Sequence, residues 1–234
     1  NNNNNNINDN NNNHNDNNTD NIKNDNNKNG SSSSIAKQLQ GGVVQVVGNA
    51  YAFAAIRADG SVITWGANAK GGSSSSVVEA LQGGVVQVVG NRSAFAALKA
   101  DGRVVTWGDA AGGGSSPSVA DKIHEGVEQV VGNGSSFAAI KADGSVVIWG
   151  GLADYLGNGS VVAEKLKEGV IQIVGRPGAF AALKSDGSVV TWGLQVSRAV
   201  SCCVERTLQE DVVHIVSSDV AFAAIKADGS VVSW

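Results

Sequence analysis

The sequence predicts an all-β fold, a β-propeller or open propeller segment of five units of about 42 residues, each with one short helical turn. Three sets of markers, all in phase, predict it. Tryptophan recurs at Trp65, Trp107, Trp149, Trp192 and Trp234, at intervals of 42, 42, 43 and 42 residues. A phenylalanine stands twelve residues before each one, at Phe53, Phe95, Phe137, Phe180 and Phe222. Between them lies an Asp-Gly pair, at Asp59-Gly60, Asp101-Gly102, Asp143-Gly144, Asp186-Gly187 and Asp228-Gly229.

The units divide as 35–66, 67–108, 109–150, 151–193 and 194–234, and each reads in four parts. A Gly/Ser-rich loop such as Gly71 to Ser76 comes first. A short stretch such as Val77 to Leu81 follows, and Gly83-Gly84 stops it, which predicts one or two helical turns. Val85-Val86-Gln87-Val88-Val89 then predicts a strand with apolar residues on both faces. The unit closes with a hairpin from Ala94 to Gly108.

Asp-Gly is favoured in two-residue type I′ turns, so the hairpin is expected to turn on Asp101-Gly102 alone. That register sets Lys99 opposite Val104, Leu98 opposite Val105, and small Ala96 opposite large Trp107. On the far face the Lys99 stem would cover apolar surface with its head in water. One hairpin and one strand cannot bury both faces of such a unit, whereas stacked neighbours can.

Residues 1–34 stand apart as an Asn-rich, low-complexity tail. With almost no apolar surface to offset the entropy of ordering, it is expected to be disordered. His14 has no second metal-ligating residue near it. The net charge of −4 argues against nucleic acid as the main ligand. No apolar run is long enough to span a bilayer, and no secretory signal is evident. The only cysteines, Cys202 and Cys203, are adjacent and fit a reducing, intracellular setting, cytoplasmic or nuclear. No metal or cofactor is expected.

Written out, the unit "VVQVVGNRSAFAALKADGRVVTWGDAAGG" resembles the repeat of the regulator of chromosome condensation family. The shared pattern is a Val-rich strand, a Gly-containing turn, a hairpin turning at D-G and a closing W-G. The resemblance covers residues 35–234. It implies a propeller that binds proteins, and, as the family's best-known activity, nucleotide exchange on a small GTPase. This chain departs from the pattern in shorter units, in five copies rather than seven, and in the residue before the first hairpin strand. There the family commonly has His, and this chain has Ala52, Ala94, Ser136, Ala179 and Ala221.

Residues present in every unit read as structural, which covers the tryptophans and Asp59, Asp101, Asp143, Asp186 and Asp228. The Gln45, Gln87, Gln129 and Gln172 column, with His214 in the last unit, is expected to form amide ladders near a central channel. Recognition is expected where the copies differ. Loops before the hairpins would share one rim and carry Tyr51, Arg92, Arg176 and Asp219; the divergent inter-unit loops add Tyr155 and Arg198. No P-loop, H-E-x-x-H or G-x-S-x-G motif appears. These features point to a non-enzymatic scaffold binding a protein partner. Exchange activity on a small GTPase, or service as accessory module to a ubiquitin ligase or kinase, are the alternatives.

Overall fold

The computed structural model describes residues 32–151, 161–193 and 202–234. The Asn-rich stretch up to residue 31, Tyr155 and Arg198 lie outside the described residues. Five three-stranded antiparallel sheets follow one another along the chain as a propeller-type array. Blade 1 holds β1 (Val43–Gly48), β2 (Ala52–Arg57) and β3 (Val62–Gly66). Blade 2 holds β4 (Val85–Gly90), β5 (Ala94–Lys99) and β6 (Val104–Gly108). Blade 3 holds β7 (Val127–Gly132), β8 (Ser136–Lys141) and β9 (Val146–Gly150). Blade 4 holds β10 (Val170–Arg176), β11 (Ala179–Lys184) and β12 (Val189–Gly193), and blade 5 holds β13 (Val212–Ser217), β14 (Phe222–Lys226) and β15 (Val231–Ser233).

In every blade the strand order is the chain order. First strands of successive blades lie beside one another, which places them innermost. Each helical segment packs on the third, outermost strand of its own blade: α1 (Ser32–Gln38), the 3₁₀ turn Ser75–Val77, the 3₁₀ turn Pro117–Lys122, α2 (Val161–Lys165) and α3 (Cys202–Thr207). It occupies the side where a four-stranded blade carries its outer strand. The residue that follows each of the last three segments also reaches back to the preceding blade. Val104, Val146 and Val189 donate their N–H groups to the carbonyls of Ile123, Leu166 and Leu208.

The hairpin register differs from the expected one by one residue. Lys99 N–H bonds to Arg103 O at 2.8 Å and Gly102 N–H to Lys99 O at 3.0 Å, so Ala100, Asp101 and Gly102 form a three-residue loop. Gly102 alone takes a left-handed conformation, with φ 79°. Asp101 keeps a negative φ and uses its carboxylate to accept the Arg103 N–H at 3.1 Å. A right-handed turn followed by one left-handed Gly is the three-residue alternative to the type I′ loop. A carboxylate that captures the N–H two residues on stabilises it.

The slip changes which side chains meet. Phe95, not Ala96, stands opposite Trp107, and Ala96 faces Thr106. The Phe95 and Trp107 rings stack at 5.3 Å between centroids, and all four other blades repeat the pair. The small residues that receive these rings come from the neighbouring blade. Ala52 and Ala54 of blade 1 lie in one buried cluster with Phe95, Ala97 and Trp107 of blade 2. Three further clusters repeat this arrangement between blades 2 and 3, 3 and 4, and 4 and 5. Every blade thus has a face of two small residues and an aliphatic one (Ala-Ala-aliphatic, with Ser136 in place of the first Ala in blade 3) and a Phe-Trp face, and alternation along β2, β5, β8, β11 and β14 supplies both.

The first strands are not apolar on both faces throughout. A β-bulge between Val85 and Gln87 turns Val86 outward, and every blade repeats it. The bulged residues Val44, Val86, Ile171 and Val213 are exposed, as is Glu128.

Candidate functional site

The loops joining first to second strands form a continuous row at one end of the array. Its floor is a column of glycines at the ends of the first strands. A Cβ on Gly175 would stand 2.6 Å from the Gly132 carbonyl, and one on Gly132 would stand 2.9 Å from that of Gly90. The first strands of blades 2 to 4 therefore converge here more closely than a side chain allows, whereas blade 5 has Ser217 in this place, its hydroxyl donating to Gly175 O at 3.1 Å. The loops above are stitched together, with Ala50 N–H on Arg92 O at 3.4 Å and Arg92 N–H on Gly134 O at 3.3 Å.

Each of the first three loops is built around an asparagine. Asn91 Oδ1 accepts the N–H groups of Ser93 and Ala94 at 3.0 and 2.9 Å, and its Nδ2 donates to Gly112 O at 2.6 Å. Asn49 makes the same set with Tyr51, Ala52 and Lys70 O. Asn133 accepts from Ser135 and Ser136. Such asparagines set the turn. Asn49 and Asn91 also tie their pre-hairpin loops to the loops that leave the same blades after W-G. In blade 5 the shorter Ser218 accepts from Val220 and Ala221 through its hydroxyl.

On this frame Tyr51 stands 46% exposed and Arg92 is exposed on the adjacent, hydrogen-bonded loop. Asp219 is exposed on the blade 5 loop beside Val220, which is 81% exposed. Arg176 is a correction. It takes the place that Asn49, Asn91 and Asn133 hold, is buried, and lays its guanidinium 5.1 Å from the Phe222 ring centroid. Its length carries it inward over the blade 5 aromatic rather than outward from the rim, so it belongs to the joint between blades 4 and 5.

Lys70 and Asp109 form an ion pair between the loops leaving blades 1 and 2. The ammonium, followed by the Ala111 N–H, holds the Asp109 carboxyl below the ordinary carboxylate range. They occupy different positions of their repeats, so no column in the sequence points to the pair. Val220 was legible only as the loop position where Tyr51, Ser93, Ser135 and Gly178 also differ.

Two sequence expectations fall elsewhere. The glutamines do not ladder with one another. Gln172 Nε2 donates to Ile215 O at 3.0 Å and its Oε1 accepts from Ile215 N at 3.2 Å, bridging to the next blade's first strand. Gln87 likewise donates to Val130 O. The Lys99 head is not left to solvent: it donates to Ala80 O at 2.8 Å and caps the helical turn. Arg57 and Lys226 do the same to Gln38 O and Thr207 O.

On the D-G side a cleft of about 410 Å³ is lined by Glu79, Lys99, Arg103 and His124, among others. Lys99 is engaged as described, and Arg103 is paired with Asp101 at 2.7 Å. Among the described residues no three His, Cys, Asp or Glu side chains gather as a metal would require. Nor is any described helix long and apolar enough to cross a membrane.

No family model matches the chain, and no curated protein does. Solved structures do resemble it. Human WBSCR16 is 20% identical with a TM-score of 0.54, covering 82% of this chain and 61% of that one. Prp20p from Saccharomyces cerevisiae is 19% identical with a TM-score of 0.53, over 82% of this chain and 56% of its own. The CRINKLY WD40 ectodomain of the Arabidopsis thaliana receptor kinase ACR4 is 18% identical at 0.52, over 82% and 64%. The chain therefore spans between about half and two thirds of these relatives' length. At this identity the likeness is one of fold: an array of propeller blades of the kind found in Prp20p.

Proposed function

We propose that the chain is a non-enzymatic interaction scaffold that binds a protein partner through its rim loops, with Tyr51, Arg92 and Asp219 as contacts. The observation that carries this reading is the contrast within each loop. Asn49 and Asn91 spend their polar atoms on backbone and hold the loop fixed, while Tyr51 and Arg92 beside them differ and face solvent. An ordered loop presenting an aromatic and an arginine loses little entropy on binding. Tyr155 and Arg198 belong to the same proposal on sequence grounds alone. The test is affinity capture followed by cross-linking of the captured partner. Cross-links that cluster on the rim, and loss of capture in Tyr51→Ala/Arg92→Ala, support it. Full capture by the double variant overturns it.

A second reading is regulation of a small GTPase by nucleotide exchange. It is favoured by the likeness to Prp20p, whose structure is described together with its binding properties to Gsp1p and histones. Release of a fluorescent guanine nucleotide from candidate small GTPases tests it. Acceleration well above the spontaneous rate supports exchange, and an unchanged rate across the set disfavours it.

A further inference from the structure

Each internal blade joint is made of two unlike halves. The leading half is the Phe-Trp face, as in Phe95, Trp107 and Val88 of blade 2. The receiving half is the Ala-Ala-aliphatic face, as in Ala52, Ala54 and Ile56 of blade 1. This joint occurs four times among the described residues, and each time the Phe ring and the small residues that receive it are at most 1% exposed.

At the two ends of the array the same halves stand open. On blade 1, Phe53 is 46% exposed, whereas Phe95, Phe137, Phe180 and Phe222 are at most 1% exposed. Val46 is 54% exposed, and its counterparts Val88, Val130, Ile173 and Ile215 are at most 3%. On blade 5, Ile225 is 39% exposed against 6% or less for Ile56, Leu98, Ile140 and Leu183. The polar part of the joint is open too. Gly60, Gly102, Gly144 and Gly187 each abut the backbone N–H that opens the next blade, and their carbonyls accept from Val85, Val127, Val170 and Val212. Gly229 meets nothing within 4 Å.

We infer that these two ends are one interface divided between two copies of the chain: the blade 5 face of one copy receives the blade 1 Phe-Trp face of the next. The occupant is identified by complementarity found four times within the molecule itself. Phe53 would enter between Ala221 and Ala223, as Phe95 enters among Ala52 and Ala54. The Val43 N–H would meet the Gly229 carbonyl, as the Val85 N–H meets that of Gly60. Like faces have no precedent in the molecule: in all four joints a Phe-Trp face meets the opposite kind of face and never its own. The contact is therefore head-to-tail, a heterologous association that either closes into a ring or runs on. It is independent of what the rim binds.

The experiment is light scattering on purified chain over a range of concentrations, with Phe53→Asp and Ile225→Asp. Both side chains face solvent in a single copy, and circular dichroism verifies folding; Phe53→Ser and Ile225→Ser replace any variant that does not fold. The wild type is expected to rise in mass with concentration in multiples of the monomer. Each variant alone is expected to remain monomeric. Mixed, they are expected to double in mass, because one retains an intact blade 5 face and the other an intact blade 1 face. A wild type that stays monomeric overturns the inference, as does a single variant that still associates or a mixture that stays monomeric. The outcome in which further repeats of the same chain cover both faces also reads as a monomer.

Discussion

Trp107 donates its buried indole N–H to the carbonyl of Gly71, 36 residues earlier, at 3.1 Å. Gly71 lies in the loop leaving blade 1 and Trp107 on the third strand of blade 2, so one side chain fills the joint and fastens the loop that crosses it. Trp107→Phe should keep most of the packing but leave the carbonyl without its donor, at about 1 kcal/mol. Trp107→Ala should cost about 3–5 kcal/mol. Urea unfolding of the two variants separates the contributions.

Position in the array should set the cost of losing an aromatic. Phe95→Ala opens a cavity in a closed joint and should cost about 3–5 kcal/mol. Phe53→Ala, at the half-exposed end, should cost less than about half of that, because little burial is lost. Similar losses at both positions, measured at low protein concentration, would contradict the open end.

The turn glycines permit a like-for-like comparison. Gly102 and Gly229 share the left-handed conformation, with φ 79° and 82°. A Cβ at Gly102 would lie 2.9 Å from the Gly126 N, and one at Gly229 would meet open space. Gly229→Ala should cost only the strain of a left-handed alanine, about 1 kcal/mol. Gly102→Ala should cost distinctly more by the same unfolding measurement.

The repeat and its strands were legible because the markers recur in phase and each element has its own period. The hairpin register was not, since Asp-Gly suits a two-residue loop and also the end of a three-residue loop. What decides is the Asp101 carboxylate reaching the Arg103 N–H and the Phe95 ring meeting that of Trp107. The rim was legible as a set of differing loops, but Arg176 looked like Arg92. Only the neighbouring Phe222 draws it inward, and Phe222 lies on another blade.

The rim asparagines should be separable into acceptor and donor. Asn91→Ser keeps an acceptor for the loop N–H groups, the solution already present at Ser218, and loses only the bond to Gly112 O. Asn91→Ala loses both. The expected losses are about 1 kcal/mol for serine and about 2–3 kcal/mol for alanine. Hydrogen exchange at Ser93 and Ala94 should quicken far more in the alanine variant.

Acid should act on the turns. The Ser61, Ser145, Ser188 and Ser230 hydroxyls hold Asp59, Asp143, Asp186 and Asp228 below the ordinary carboxylate range, and the Arg103 guanidinium does so for Asp101. Groups with depressed folded values contribute stability that is fully present above the unfolded carboxylate value of about 3.9. That contribution is lost as pH falls through the folded values. The urea midpoint should therefore drop in this acid range and stay level from these groups above it. Ser61→Ala should raise the Asp59 titration midpoint seen by carboxyl NMR.

The two-sided blade has a consequence for how such a gene changes. Because every unit offers one kind of face forward and the other backward, copying a whole repeat in frame yields a newcomer that already fits both neighbours. Deleting one rejoins surfaces that match equally well. A copying error of any other length would bring like faces together or shift a strand by a residue. Repeat number can thus drift freely while repeat length is held at 42 or 43. Each new copy brings one more loop that can diverge while the core stays as it was.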